Sequence, residues 1–82
     1  MKVQVLFFAS LREALGTAGE TLEVGEGCDV AAARALLAAR RGEWQRLASP
    51  RIRAAVNQAL VAEAHGLAEG DELAFFPPVT GG

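Results

Sequence analysis

The residues from Phe75 to Gly82, FFPPVTGG, are of the types needed to carry a reactive group on a leash. Pro77 and Pro78 lack N–H donors and fix φ, so they end a sheet ladder and launch the backbone outward in an extended form. The six residues Pro77 to Gly82 reach roughly 20 Å at full extension. Gly81 and Gly82 carry no side chains and can thread a narrow channel into another protein. At the far end sits the α-carboxylate of Gly82, ionised at neutral pH because its reference pKa is about 3.5. It can attack an activated phosphate, and adenylation would turn it into a mixed anhydride open to a sulfur, nitrogen or oxygen nucleophile. The bland alternative is a frayed terminus in which glycine costs nothing. A Gly-Gly ending alone is a weak signal, and its weight depends on the elements that precede it.

Those elements divide the chain into a folded body, residues 1–76, and a tail, residues 77–82. At 82 residues there is room for one core, and a chain this short hides only about 60% of the surface that its unfolded form exposes. Eight Lys plus Arg oppose ten Asp plus Glu, a formal charge of −2. That balance argues against binding a nucleic-acid backbone, which needs a clustered basic face. The one cysteine, Cys28, excludes an intramolecular disulfide and a Cys-ligated cluster, and the one histidine, His65, argues against a protein-only metal site. The opening MKVQVLFFAS is too short and too alternating for a secretion signal, and no stretch approaches a membrane span, so a cytoplasmic protein is expected.

Met1–Ala9 predicts a strand. Ser10 with Glu13 spells a capping box for a short helix closed by Gly16. Glu20–Val24 predicts a second strand, antiparallel to the first. Asp29 is the expected N-cap of the main helix, VAAARALLAARR, with Val30, Ala33, Leu37 and also Leu36 as its buried stripe. Arg40 and Arg41 then fall in its last turn, with Gly42 as the stop. EWQRLA suggests one more helical turn, with Trp44 and Leu47 against the core. AAVNQALVA reads as a strand or a tight hairpin, and Glu72–Phe76, after the Glu69-Gly70-Asp71 turn, as the last strand. One long helix cannot cover two sheet faces, so the fold class is α+β: a mixed sheet with one main helix packed across one face.

Alternation sorts the two aromatic-rich strands. Val3, Val5 and Phe7 share one face, and Lys2, Gln4, Leu6 and Phe8 the other. In the last strand Leu73 and Phe75 point inward, leaving Glu72, Ala74 and Phe76 outward. Phe8 and Phe76 thus fall on the uncovered face, at the root of the tail, where an apolar patch signals a partner. A register slip or bulge would instead turn these rings into the core. The sequence does not fix the direction of Leu60.

The ending GDELAFFPPVTGG, the segment AAVNQALV and the opening VQVLFFASLREALG together resemble the small subunits of molybdopterin synthase, a family of ubiquitin-like β-grasp sulfur carriers. The resemblance runs end to end. It implies that a partner adenylating, E1-like enzyme uses MgATP to activate Gly82, and that a persulfide donor converts the carboxylate to a thiocarboxylate. It implies next that the tail enters the large synthase subunit and gives sulfur to a cyclic pyranopterin monophosphate, forming the dithiolene that holds molybdenum. The implied assembly is a heterotetramer, two small subunits flanking a large-subunit dimer. The implied contact residues are Phe8, Leu60 and Phe76, with Pro77, Pro78, Val79, Thr80 and Gly81 leading to the reactive Gly82. No cofactor is expected on the chain itself.

Three other readings keep or discard parts of this. A sulfur carrier for thiamine or for tRNA thiolation shares the tail chemistry and differs in its partner surface. A protein modifier would join Gly82 to a lysine. A binding module with a meaningless tail would survive deletion of Gly81 and Gly82. The residues show no nucleophile–base pair, no catalytic carboxylate pair and no phosphate-cradling loop, so the chain is expected to be a co-substrate and subunit rather than an enzyme alone. Cys28, beside a helix start where thiols acidify, is expected to be a bystander, and His65 an exposed polar residue.

Overall fold

The computed structural model describes residues 1–78. In chain order its elements are β1 Lys2–Phe7, α1 Ala9–Leu15, β2 Gly19–Glu23, α2 Val30–Ala38, a 3₁₀ helix Gly42–Ala48, β3 Arg53–Val56, β4 Ala59–Leu60 and β5 Glu72–Phe76. The strands form one mixed sheet in the order β2-β1-β5-β3-β4. β1 pairs antiparallel with β2 and parallel with β5, and β3 is antiparallel to both β5 and β4. Among the described residues no helix is long and apolar enough to cross a membrane.

The core lies between the sheet and α2 because each element offers an apolar set at its own period. Val3, Val5 and Phe7 from β1 and Leu73 and Phe75 from β5 are almost completely buried, against Val30, Ala33 and Leu37 of α2. Each large aliphatic or aromatic side chain so placed contributes on the order of 1.5–3 kcal/mol. Leu47 of the 3₁₀ helix is fully buried beside them, and Trp44 packs at the margin. Phe7 links the layers, stacked on Phe75 at 6.4 Å and edge-on to Trp44 at 5.4 Å between centroids. Gly19 is obligatory, since a Cβ there would lie 2.3 Å from the Val5 carbonyl oxygen.

Asp29 caps α2 as expected, its Oδ1 accepting the Ala32 N–H at 2.8 Å, and Gly16 closes α1 with φ 71°. Four expectations are corrected. Ser10 is not a cap: α1 begins at Ala9, and Phe8 occupies the N-cap without a side-chain bond. The Phe8 N–H still donates to Phe75 O at 3.2 Å, and Ala9, at φ 54°, turns the chain into the helix before Ser10 is reached. Arg40 and Arg41 lie beyond α2 rather than in its last turn. The Arg40 N–H bonds to Leu37 O, which tightens the end of the helix, while its guanidinium grips Glu20 at 2.6 and 2.8 Å and stacks 4.4 Å from the Trp44 ring. Gly42, with φ 71°, accordingly opens the 3₁₀ helix instead of stopping α2. Finally, Leu36 falls outside the buried stripe and is 54% exposed.

The segment left open as strand or hairpin is a hairpin. Val56 faces Ala59 across Asn57-Gln58, whose φ values of 50° and 71° are those of a two-residue turn with both centres left-handed. A non-glycine residue in that region costs about 1–2 kcal/mol. Gln58→Gly is therefore expected to raise the unfolding free energy by about 1 kcal/mol and the Tm by about 4–8 °C, measured by thermal and urea melts.

Candidate functional site

The register of the sheet assembles the face opposite α2 row by row. Because pairing residues share a face, Leu6, Ala74, Ala55 and Leu60 form one continuous row from β1 to β4. Above it, toward the C-terminal ends of β1 and β5, Phe76 pairs with Arg53, and Phe8 follows Phe7 on the outward side. Below it lie Gln4 and Glu72. Ala55 and Ala74 are nearly buried yet lie outside the core cluster, since larger neighbours flank them. They make a flat floor between Phe8, 46% exposed, and Leu60, 65% exposed. Leu6 and Phe76 are half-buried.

The sequence-predicted residues thus converge where the structure describes them. Phe8 and Phe76 face outward, and neither a bulge nor a slip returns them to the core. Leu60, undetermined from sequence, faces outward because its partner Ala55 does. Pro77 is half-buried at the end of β5 and Pro78 is exposed. Val79, Thr80, Gly81 and Gly82 lie outside the described residues. Ala55 and Arg53 were missed, because their orientation follows only from the hairpin register. The signal was a two-residue Asn-Gln turn, weaker than the Asn-Gly that marks such hairpins.

The elements behind this face are tied down by one arginine. Arg34, whose side chain is 12% exposed, grips both carboxylate oxygens of Glu63 at 2.8 and 2.9 Å. It also donates to the carbonyls of Leu47 at 2.8 Å, Ser49 at 3.3 Å and Ile52 at 2.7 Å. Its guanidinium lies 5.2 Å from the centre of the Phe75 ring, one residue before Phe76. A groove of about 250 Å³ opens where the chain leaves the sheet, lined by Ser10, Arg46, Arg51, Ile52, Pro77 and Pro78 among others.

Burial, and then the Asp29 carboxylate, push the Cys28 thiol up, so the expected acidifying effect of the helix start does not prevail. His65 is exposed in the loop before Leu67. Among the described residues, no group of three His, Cys, Asp or Glu side chains could hold a metal ion. The Glu20 carboxyl is held below its usual range by its hydrogen bonds to Arg40. Asp71 is held down first by the Asn57 amide at 3.0 Å and then by the Ala68 N–H at 2.8 Å.

One mixed sheet wrapped around a single main helix, with an apolar open face at the root of an extended C-terminal strand, is the β-grasp of ubiquitin-like carriers. The ThiS family model matches residues 5–82, and the chain belongs to that family. It is 47% identical over 81 residues to the molybdopterin synthase sulfur carrier subunit of Escherichia coli K12, covering 98% of this chain and 99% of that one. Among solved structures it is similar to SAMP1, small archaeal modifier protein 1 of Haloferax volcanii, with a TM-score of 0.81, 29% identity and full coverage of both chains. It is also similar to a chain of the complex of subunits 1 and 2 of the molybdopterin-converting factor from Helicobacter pylori, with a TM-score of 0.73, 26% identity and full coverage of both.

Both depressed carboxylates act on stability in one direction. A folded pKa below the unfolded one means that the unfolded chain binds more protons, so the stabilisation is complete above the ordinary carboxylate range and is lost as pH falls through the folded values. Stability is expected to decline as pH drops below about 4, and Glu20→Gln to flatten part of that decline, read by urea melts across an acid pH series.

Proposed function

We propose that the chain is a sulfur carrier and the small subunit of a molybdopterin synthase, acting through Gly82 in molybdenum cofactor biosynthesis in the cytoplasm. The observation that carries this reading is the match to the Escherichia coli sulfur carrier subunit over 98% of this chain, beside a family match that extends to Gly82. Its chemistry needs no catalytic groups on this chain. The Gly82 carboxylate, in the site of an E1-like adenylating enzyme, attacks the α-phosphorus of MgATP and pyrophosphate leaves. The terminal sulfur of a persulfide displaces AMP, and reduction of the resulting acyl disulfide by a thiol leaves the thiocarboxylate. In the large subunit that sulfur bonds to a side-chain carbon of the pterin precursor, and the oxygen that this carbon carried leaves. Water then cleaves the acyl–sulfur bond, which restores the carboxylate and leaves sulfur on the pterin.

The division of labour follows the geometry. The body, residues 1–76, presents Phe8, Leu60 and Phe76 to the partners, while Pro77 and Pro78 direct Val79, Thr80 and Gly81 into the channel. The Helicobacter pylori complex of subunits 1 and 2 supports a large-subunit partner for this chain too, and the proposed assembly is a heterotetramer. Incubation with the cognate adenylating enzyme, MgATP and a sulfur donor is expected to raise the intact mass by one sulfur-for-oxygen replacement. The same chain lacking Gly82 should gain nothing, and a wild-type chain that gains nothing beside active enzyme overturns the reading.

The likeness to SAMP1 favours one second reading, a protein modifier that forms an isopeptide bond at Gly82. Lysine-linked conjugates of this chain in a cell extract would support it, and exclusive discharge to sulfur nucleophiles would exclude it. Leu60→Asp tests the docking face under either reading. An exposed change of this kind is expected to move stability by about 0.5 kcal/mol or less, whereas loss of an interface anchor costs about 2 kcal/mol or more, a drop of more than ten-fold in affinity for the large subunit, read by calorimetry.

A further inference from the structure

Charge is distributed along the strand axis rather than evenly over the surface. β1 and β5 run parallel, so the start of both strands marks one end of the molecule and the tail root the other. Glu23 pairs with Lys2 at the first end, where Glu69, Asp71 and Glu72 also lie, and Glu26 follows just beyond β2. At the tail end, Arg46 and Arg51 line the groove with Pro77 and Pro78, and Arg53 stands beside Phe76 at the head of the apolar face. Arg46 is engaged by Glu43 one turn away. Arg51 and Arg53 are exposed, and among the described residues neither side chain meets a carboxylate. A chain of formal charge −2 therefore turns its positive end toward whatever receives the tail.

We propose that Arg51 and Arg53 form a cationic collar that docks onto carboxylates at the mouth of the adenylating enzyme's tail channel. The collar is continuous with the apolar face of Phe8 and Phe76, so one approach seats both. Its proposed part is in the encounter and not in the reaction, which falls to the carboxyl of Gly82. Its role is to orient the encounter: the separated charges make the molecule a dipole whose positive end leads, and steering of this kind raises association rates by about 10–10³-fold at low salt. Arginine suits the role, because its fork can hold a carboxylate bidentately and it keeps its charge at any working pH. A nucleic acid or an anionic membrane is the less fitting occupant, because the same face carries exposed apolar side chains and the opposite end is acidic.

The inference rests on the sulfur-carrier reading and can be separated from it experimentally. Association of the full chain with its cognate adenylating enzyme is followed by stopped flow across a salt series, together with carrier-dependent ATP–pyrophosphate exchange. Arg51→Glu/Arg53→Glu is expected to lower the association rate by about ten-fold or more at low salt, and to raise KM while leaving kcat unchanged. Glu26→Arg, at the far end, should change neither. Circular dichroism and the unchanged kcat distinguish a lost contact from a lost fold. Wild-type rates and salt slope in the double variant, or an equal effect from Glu26→Arg, overturn the collar and leave the carrier reading standing. Preferential binding of the wild-type collar to DNA or to phosphatidylserine vesicles overturns it in favour of a polyanion. Absence of exchange with the wild-type chain overturns both readings together.

Discussion

The parallel pairing of β1 with β5 at the centre of the sheet is the constraint on which the rest depends. In an antiparallel pair the end of one strand meets the start of the other. In this pair Phe7 faces Phe75, so both strands finish at the same end of the molecule. That brings Phe8 beside Phe76 although 67 positions separate them in the chain, and it makes the exit of the tail the corner of the apolar face. A parallel pair needs a crossover, and α2 and the 3₁₀ helix supply it on the side opposite that face. One topological choice thus covers one face with helix, leaves the other open and ends β5 at its corner.

The crossover has to be held against the sheet, and a chain this small has little core with which to do so. Arg34 meets this need at a cost that its partners offset. A guanidinium taken out of water without partners would be strongly destabilising. Its donors, however, are distributed over Glu63 and three carbonyls, and its face lies on Phe75. The bonds run to the 3₁₀ helix, to the loop that precedes β3 and to the segment after β4, which are the parts that regular secondary structure leaves unpaired. The second tie, Glu20 to Arg40 to Trp44, fastens the edge strand β2 to the end of α2 in the same way. Electrostatics here does not outweigh apolar burial in magnitude; it fixes where the irregular segments lie.

How much of this could be read from sequence follows the range of each interaction. The faces of β1 and β5 were legible because Lys2 and Gln4 alternate with Val3 and Val5 at the start of β1 and Glu72 sets the phase of β5, and period is a local property. The N-cap at Asp29 and the stop at Gly16 were legible for the same reason. Ser10 misled because a pairing with β5, remote in sequence, carries Phe8 into the sheet and starts the helix early. Arg40 misled because its partner, Glu20, lies on another element, and a local rule about helix ends could not weigh that bond. Leu60 stayed undetermined until the hairpin register was known. Arg34 gave no signal at all, being one arginine among alanines. The outward aromatics Phe8 and Phe76 were legible; the arginine beside them gained meaning only once Arg53 was seen to pair with Phe76.

The separation of charge from hydrophobicity on the working face has a mechanical consequence. In the proposed function the chain binds more than one protein in turn and leaves each of them, so its contact area cannot resemble a permanent interface. A floor of alanines, Ala55 and Ala74, between a few larger anchors gives shape without deep interlocking. Affinity then rests on a small number of exposed side chains that can be released. Charge at the rim adds speed of approach more than depth of binding. In the proposed function the chemistry falls to the carboxyl of Gly82, so the body can keep one rigid fold while that carboxyl changes from acid to adenylate to thioacid. Nothing in the core has to respond to those changes, so under that proposal a small core is enough.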